Sequence, residues 1–208
     1  MMRVSAKITF TGSTKVGKML VGGSGSQLKR LSLELGGHAP FIVCSDADPI
    51  HAAKGLALVK FLNSGQACIS PNRIYVHEQQ EKAFLEELTS RVSKLKSGPG
   101  INKDSTIVPL INEEALETVD QQVRDGDGLL KMANETLYGL ASYVYTQNLG
   151  LAMKLFEGLN FGIVGINDIN PTSAAAPFGG KKESGIGREG ASEGIHEYLE
   201  IKLGGISI

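Results

Sequence analysis

The chain predicts an α/β fold, a mostly parallel sheet flanked by helices, on three observations. Apolar segments alternate along the chain between strand-like and helix-like periods. Its 26 glycines are spread through short turns between those segments. Pro40-Phe41-Ile42-Val43-Cys44 is apolar almost throughout, as a strand covered on both faces is.

The elements follow in order. Ile8-Thr9-Phe10 reads as a strand, Thr11-Gly12-Ser13 as a turn, and a helix starts at about Thr14, where a hydroxyl residue caps the first-turn amides. A second strand runs from Leu28 to Leu35 and a third from Pro40 to Cys44, whose thiol is expected to fill core volume. Pro49 opens a helix, because its missing N–H costs little there, and Ile50, Ala53, Leu56 and Ala57 keep helical spacing as far as Asn63-Ser64-Gly65. Arg73 to Val76 is a strand. Glu81 to Lys96 is an amphipathic helix with Phe84, Leu85, Leu88, Val92 and Leu95 on its buried face. A helix at Asn112 to Val123, a strand at Ala141 to Tyr145, a helix at Leu149 to Gly158 and strands at Gly162 to Ile166 and Tyr198 to Lys202 complete the series. Between two helical patterns stands Asp125-Gly126-Asp127-Gly128, which reads as a join or as an ordinary surface turn.

Composition narrows the function. A chain of 208 residues holds one large or two small domains. Lys plus Arg (21) nearly cancels Asp plus Glu (22), so no net field draws the chain to nucleic acid or to a membrane surface, and small molecules are the expected partners. No apolar run approaches the roughly 18 residues of a membrane span, and the first residues lack an apolar signal core, which points to the cytoplasm. Two cysteines, Cys44 and Cys68, make no disulfide framework and leave thiol chemistry open.

Cys68 is the sharpest candidate. It ends Asn63-Ser64-Gly65-Gln66-Ala67-Cys68, a polar turn leaving a helix, although an arbitrary free cysteine is more often a small buried hydrophobe. The caspase signature also begins Gln-Ala-Cys, but Ile69 and Ser70 follow here and no histidine precedes His38, so a cysteine protease is disfavoured. Glu34, in Leu33-Glu34-Leu35-Gly36-Gly37, has two readings: a strand carboxylate meeting solvent, or a pocket carboxylate whose partial desolvation raises its pKa toward that of a general base. Pro177 to Glu189 is rich in glycine and basic residues. It fails as a P-loop because Ala175 replaces the required glycine and Lys182 the hydroxyl residue, and Gly22-Gly23-Ser24-Gly25 fails as a dinucleotide fingerprint.

Taken together, Phe10 to Gly17, Leu33 to Pro40, Phe61 to Cys68 and Pro177 to Glu189 resemble the aldehyde dehydrogenase superfamily in order, and the 34-residue step from Glu34 to Cys68 is that family's spacing. The resemblance implies that Cys68 attacks an aldehyde, that hydride passes to NAD or NADP to leave a thioester, and that Glu34 activates the water that hydrolyses it. It places Gly12, Ser13, Thr14, Val16, Gly17 and Leu35 beside the cofactor, Thr172 and Phe178 beside the substrate, and implies no metal. It divides the chain into a remnant of the dinucleotide-binding domain (1–34), a catalytic domain (35–166), and a substrate loop with a C-terminal segment (167–208) that pairs subunits into a homo-oligomer. The residues around Cys68 and the Ala176-Pro177-Phe178 loop look most like the succinate-semialdehyde dehydrogenase branch, although Leu62 stands where members of that branch carry an arginine. The family's Glu-X-Phe-Gly-Pro block has no match between Val123 and Lys131, which implies an internal excision near 126–128. Its early strands, its adenosine-binding residues and the asparagine of its oxyanion hole also have no match. Activity of the chain as it stands is therefore open, and two alternatives remain: a catalytically silent module that self-associates, and a cofactor-independent thiol esterase.

Overall fold

The computed structural model describes residues 5–113 and 133–205. The expected helix at Asn112 to Val123, beyond its first residues, and the 125–128 turn with its implied excision lie outside the described residues.

At the centre are β3 (Ala39–Val43), β4 (Pro71–Val76), β6 (Ala141–Tyr145) and β7 (Ile163–Ile166), ordered β4-β3-β6-β7 and parallel throughout. Alternation sends β3 residues to both faces. Phe41 and Val43 join Tyr143, Tyr145, Leu56, Val59 and Phe84 in one core, under α2 (Pro49–Lys60) and α3 (Glu78–Val92). Ile42 and Val144 join Leu155, Leu159 and Phe161 in the other, under α4 (Leu149–Gly158). A strand packed on both faces must be apolar at every position, which is why β3 reads as a continuous run. Cys44 is half-buried and packs against the second core, as a small hydrophobe does.

A second sheet aligns β1 (Lys7–Thr11) parallel to β2 (Arg30–Glu34) and adds β9 (Gly185–Ile186) antiparallel on the far side of β2. The two-residue strands β5 (Tyr138–Gly139) and β8 (Lys181–Lys182) pair beside it. Neither β5, β8 nor β9 is visible in the sequence, because two residues carry no period and the partners lie far apart in the chain.

Caps fix the helix starts. In α1 (Thr14–Ser24) the Ser13 hydroxyl accepts from the Val16 N–H at 3.3 Å, and in α2 Asp48 accepts from the Ile50 and His51 N–H groups at 2.9 and 3.2 Å, with Pro49 in the first turn. The third helix starts and ends earlier than expected. His77 caps it, and beyond Val92 the backbone of Lys96 is captured by Thr106 and Ile107. Of its five expected core residues only Phe84 is buried, and Leu85 is 47% exposed, on an open apolar groove between α2, β4 and α3.

The last expected element needs correction. Residues 198–202 are not a strand, and after α5 (Ala191–His196) the chain runs on with Leu199, Ile201 and Leu203 exposed. A strand needs a neighbour for its N–H and C=O groups, and within one described chain this segment has none alongside it.

Phe41, fully buried between Tyr143 and Tyr145 with ring centroids at 6.0 and 5.1 Å, anchors the first core. Phe41→Ala is expected to cost about 3–5 kcal/mol of unfolding free energy, read from the urea midpoint; a change below about 1 kcal/mol would place the core elsewhere.

Candidate functional site

Glu34 ends β2 at the seam between the two sheets. Its backbone is held on three sides: it pairs with Thr11 of β1 and Gly185 of β9, and its carbonyl accepts from the Gly12 N–H at 3.0 Å. One residue on, the Leu35 N–H donates to the Ser184 carbonyl at 2.9 Å, while the buried Ser184 hydroxyl accepts from the Gly139 N–H at 2.9 Å. These bonds carry the Pro177 to Glu189 segment across the end of β2. Its Gly179 lies so close that a Cβ there would be 3.0 Å from Glu34 Oε1.

The carboxylate is consequently buried, at 7% exposure, and Oε2 has no hydrogen-bond partner among the described residues. Burial, then the neighbouring charge of Glu189, pushes its pKa up to about 7, against an opposing pull from Arg188. Of the two readings of Glu34, the pocket carboxylate is the one the structure shows.

Cys68 sits on the turn that follows α2. Asn63, Ser64 and Gly65 all adopt positive φ (50°, 56° and 80°), a reversal that glycine and asparagine tolerate and serine adopts only when held. The holding groups are present: the Ser64 hydroxyl accepts from the Val108 N–H at 3.0 Å, and Gln66 Oε1 from the Ile111 N–H at 3.0 Å. Beyond the cysteine, the Ser70 hydroxyl donates to the Lys60 carbonyl at 3.2 Å and the Tyr143 hydroxyl to the Ile69 carbonyl at 3.1 Å.

The thiol is exposed, yet its pKa is raised rather than lowered. Burial contributes most, then the charge of Glu34, with Glu189 adding to it; hydrogen bonds from the Cys68 and Ile69 N–H groups act the other way. Because the residue is open to solvent, water screens much of the burial contribution. The influence of Glu34 is the more specific observation, since it shows thiol and carboxylate within each other's field.

The remaining expected residues fall into two groups. Gly12, Ser13, Thr14, Val16 and Gly17 form the turn and first helical turns of α1, with Gly12, Ser13 and Val16 exposed, and Gly17 packed so tightly on the Leu35 side chain that a Cβ would lie 2.7 Å from it. These six lie together beside Glu34. Phe178 packs against the first core, and its backbone exchanges two hydrogen bonds of 2.7 Å with Glu189. Thr172 is half-buried, and its described hydrogen bond goes to Asn170 Oδ1 at 2.8 Å, not to Cys68 or Glu34.

Sequence reasoning missed three residues. Arg188 closes the loop by donating to the Gly180 and Gly187 carbonyls at 2.9 and 2.7 Å; Glu189 acts on both Glu34 and Cys68; Tyr143 grips the turn that carries Cys68. The charged Arg188-Glu189 pair at the end of a glycine-rich run was the available signal for two of them. A buried strand tyrosine gives none.

Comparison with known proteins places this geometry. The model of the family described as "Aldehyde dehydrogenase family" matches residues 3–128 and 122–203. A probable succinate-semialdehyde dehydrogenase [NADP(+)] of Sinorhizobium fredii is 39% identical over 249 residues, covering 94% of this chain and 51% of the relative. A non-phosphorylating aspartate-semialdehyde dehydrogenase of Halomonas elongata is 38% identical, with 94% and 50% covered. The crystal structure of an E. coli NADP-dependent enzyme superposes with a TM-score of 0.90 at 35% identity, covering 96% of this chain and 53% of that one. The chain thus spans about half the length of the curated relatives it matches.

Glu34 makes a pH-dependent contribution to stability. Its pKa rises from 4.5 to about 7 on folding, so the folded state holds a proton that the unfolded state has released, and stability is lost as pH rises through that window. At pH 8, Glu34→Gln is expected to be more stable than the parent by roughly 1–3 kcal/mol, a gap that closes toward pH 4.5. Equal stability of the two at both pH values, in urea titrations, would mean that the carboxylate is not buried.

Proposed function

Because the chain belongs to the aldehyde dehydrogenase family, we propose that its site serves NAD(P)-dependent oxidation of an aldehyde to a carboxylic acid, with Cys68 as nucleophile and Glu34 as general base. The observation that carries this reading is the packing of Gly37, three residues after the buried Glu34, directly against the Cys68 carbonyl, which brings together groups 34 residues apart in sequence. Cys68 thiolate, stabilised by its own N–H and that of Ile69, attacks the aldehyde carbon, and the Cys68 N–H holds the oxygen that gains the charge. NAD(P)+, when bound, supplies the hydride acceptor that turns the thiohemiacetal into a thioester.

Glu34 then takes a proton from water. The hydroxide attacks the thioester carbonyl, and the Cys68 thiolate leaves as the carboxylic acid departs. A carboxylate with pKa about 7 suits this task, and Oε2, buried without a protein partner, is the acceptor for that water.

Gly12, Ser13, Thr14, Val16 and Gly17 fit the cofactor's phosphate side, since the N–H groups at the start of a helix favour anions. The Leu35 N–H is already committed to Ser184, so its carbonyl is the backbone group that meets the carboxamide. Thr172 and the Phe178 loop would receive a semialdehyde, the class named by the relatives. Exposed Leu62 in place of an arginine weakens selectivity for a second carboxylate.

The domain division and the internal loss belong to the same proposal. Both matched pieces of the family model include residues 122–128, and 249 aligned residues exceed the length of this chain, so the relative carries residues absent here. We infer the loss of an internal segment at that point, near 126–128, inside a catalytic domain (35–166) that follows a remnant of the nucleotide domain (1–34) and precedes the substrate loop and tail (167–208). Reduced thiols and the absence, among the described residues, of a helix long and apolar enough to cross a membrane accord with work in the cytoplasm.

The test is calorimetric titration with NAD and NADP, then absorbance of the reduced cofactor with succinate semialdehyde. Cys68→Ala is expected to abolish turnover, and Glu34→Gln to slow it about 100-fold or more while a thioester accumulates on Cys68, seen by mass spectrometry. Turnover that survives Cys68→Ala would refute the reading.

A second reading rests on the tail. Leu199, Ile201 and Leu203 are exposed along a segment that is neither helix nor strand, an apolar surface that a second copy could cover in a homo-oligomer. Sedimentation is expected to show an oligomer that deletion of residues 199–208 dissociates; a monomer in both cases would remove the idea.

A further inference from the structure

The turn bearing Cys68 is gripped from behind by Tyr143 of β6 and by Gly37 of the loop between β2 and β3. Tyr143, in the middle of β6, is fully buried, and its ring packs against Phe41. A buried phenol needs a partner for its O–H, and this one donates across the sheet to the Ile69 carbonyl at 3.1 Å. From the other side Gly37, two residues before β3, meets the Cys68 carbonyl so closely that a Cβ would overlap it. That carbonyl belongs to the peptide between Cys68 and Ile69, whose N–H acts to hold the Cys68 pKa down. Turning this peptide moves both ends at once: the carbonyl against Gly37 and the N–H against the thiolate.

We propose that Tyr143 and Gly37 are positioning residues that clamp the 68–70 turn and hold the Ile69 N–H on the Cys68 sulfur. The inference rests on the reading of Cys68 as the nucleophile. Neither residue touches the reacting atoms; both act through the peptide plane. A hydroxyl with only a packing role would lie in the core like that of neighbouring Tyr145, which abuts Gly55 on α2 and Ile169 rather than the cysteine turn. The ionisable groups facing Cys68 are Glu34 from β2, Glu189 from the loop before α5 and Tyr143 itself. Tyr143 stays neutral well beyond the pH range in which the thiol is assayed, because burial pushes its pKa up. Loss of its hydroxyl therefore changes geometry at the thiol without changing charge.

The experiment is the pH–rate profile of iodoacetamide alkylation, in which the thiolate sulfur displaces iodide. Each cysteine is read separately by mass spectrometry of peptides from the full chain. Half-buried Cys44, at the opposite end of β3, reports general loosening on the same molecules. In Tyr143→Phe the Cys68 midpoint is expected to move up in pH, lowering its rate at neutral pH by about threefold to tenfold, the range one hydrogen bond covers. Cys44 should be unchanged, and Tyr145→Phe should leave the Cys68 profile in place. Gly37→Ala should act in the same direction as Tyr143→Phe. A Tyr143→Phe profile that overlays the parent overturns the clamp while leaving the nucleophile reading intact, and so does an equal change at Cys44 or in Tyr145→Phe. A parent in which Cys68 alkylates no faster than Cys44 removes the nucleophile reading and the clamp together.

Discussion

Two residues of backbone pairing, Leu33 with Ile186 and Glu34 with Gly185, hold the site together. They bring the Pro177 to Glu189 segment, far along the chain, back over the end of β2. The approach depends on Gly185, where any Cβ would overlap the Leu33 carbonyl and where φ is 156°. Everything characteristic of Glu34 follows from that crossing: its burial against Gly179, its exposure to the opposed charges of Arg188 and Glu189, and the fixed Leu35 backbone. Without it, Glu34 would be the exposed end of a two-strand ribbon.

The electrostatic consequence is a shared proton economy between two groups. A carboxyl that stays largely protonated up to neutral pH spares the adjacent thiol a repelling charge there, and once ionised it holds the thiol pKa up. In the proposed reaction the order suits the chemistry. While Cys68 attacks, a neutral Glu34 does not oppose thiolate formation; once sulfur is bound in a thioester, an ionised Glu34 serves as base for water. Glu189 of the same loop acts on both groups.

How much of this the sequence disclosed follows from the range of each interaction. The elements from β1 to β4, with α1 and α2, were legible because each is set by its own residues: the Ser13 and Asp48 caps, Pro49, and the continuous apolar run of β3. Cys68 and Glu34 emerged through resemblance, not periodicity, since alternation left Glu34 facing either solvent or a pocket. What escaped is nonlocal. The short strands β5, β8 and β9 exist only through partners remote in the chain, and the upward Cys68 shift comes from burial and then from a carboxylate that folding brings near. Residues 198–202 failed in the opposite sense. Their composition suits a strand, but a strand is a relation to a neighbour, and none lies beside them among the described residues.

The most direct measurement of this account is a carboxyl-carbon NMR titration of the full chain labelled at glutamate, with the Glu34 resonance assigned by its loss in Glu34→Gln. One carboxyl titrating near pH 7 is the result predicted by a carboxylate buried at the end of β2 under the Gly179 loop. Every glutamate titrating at its ordinary value near 4.5 would contradict it.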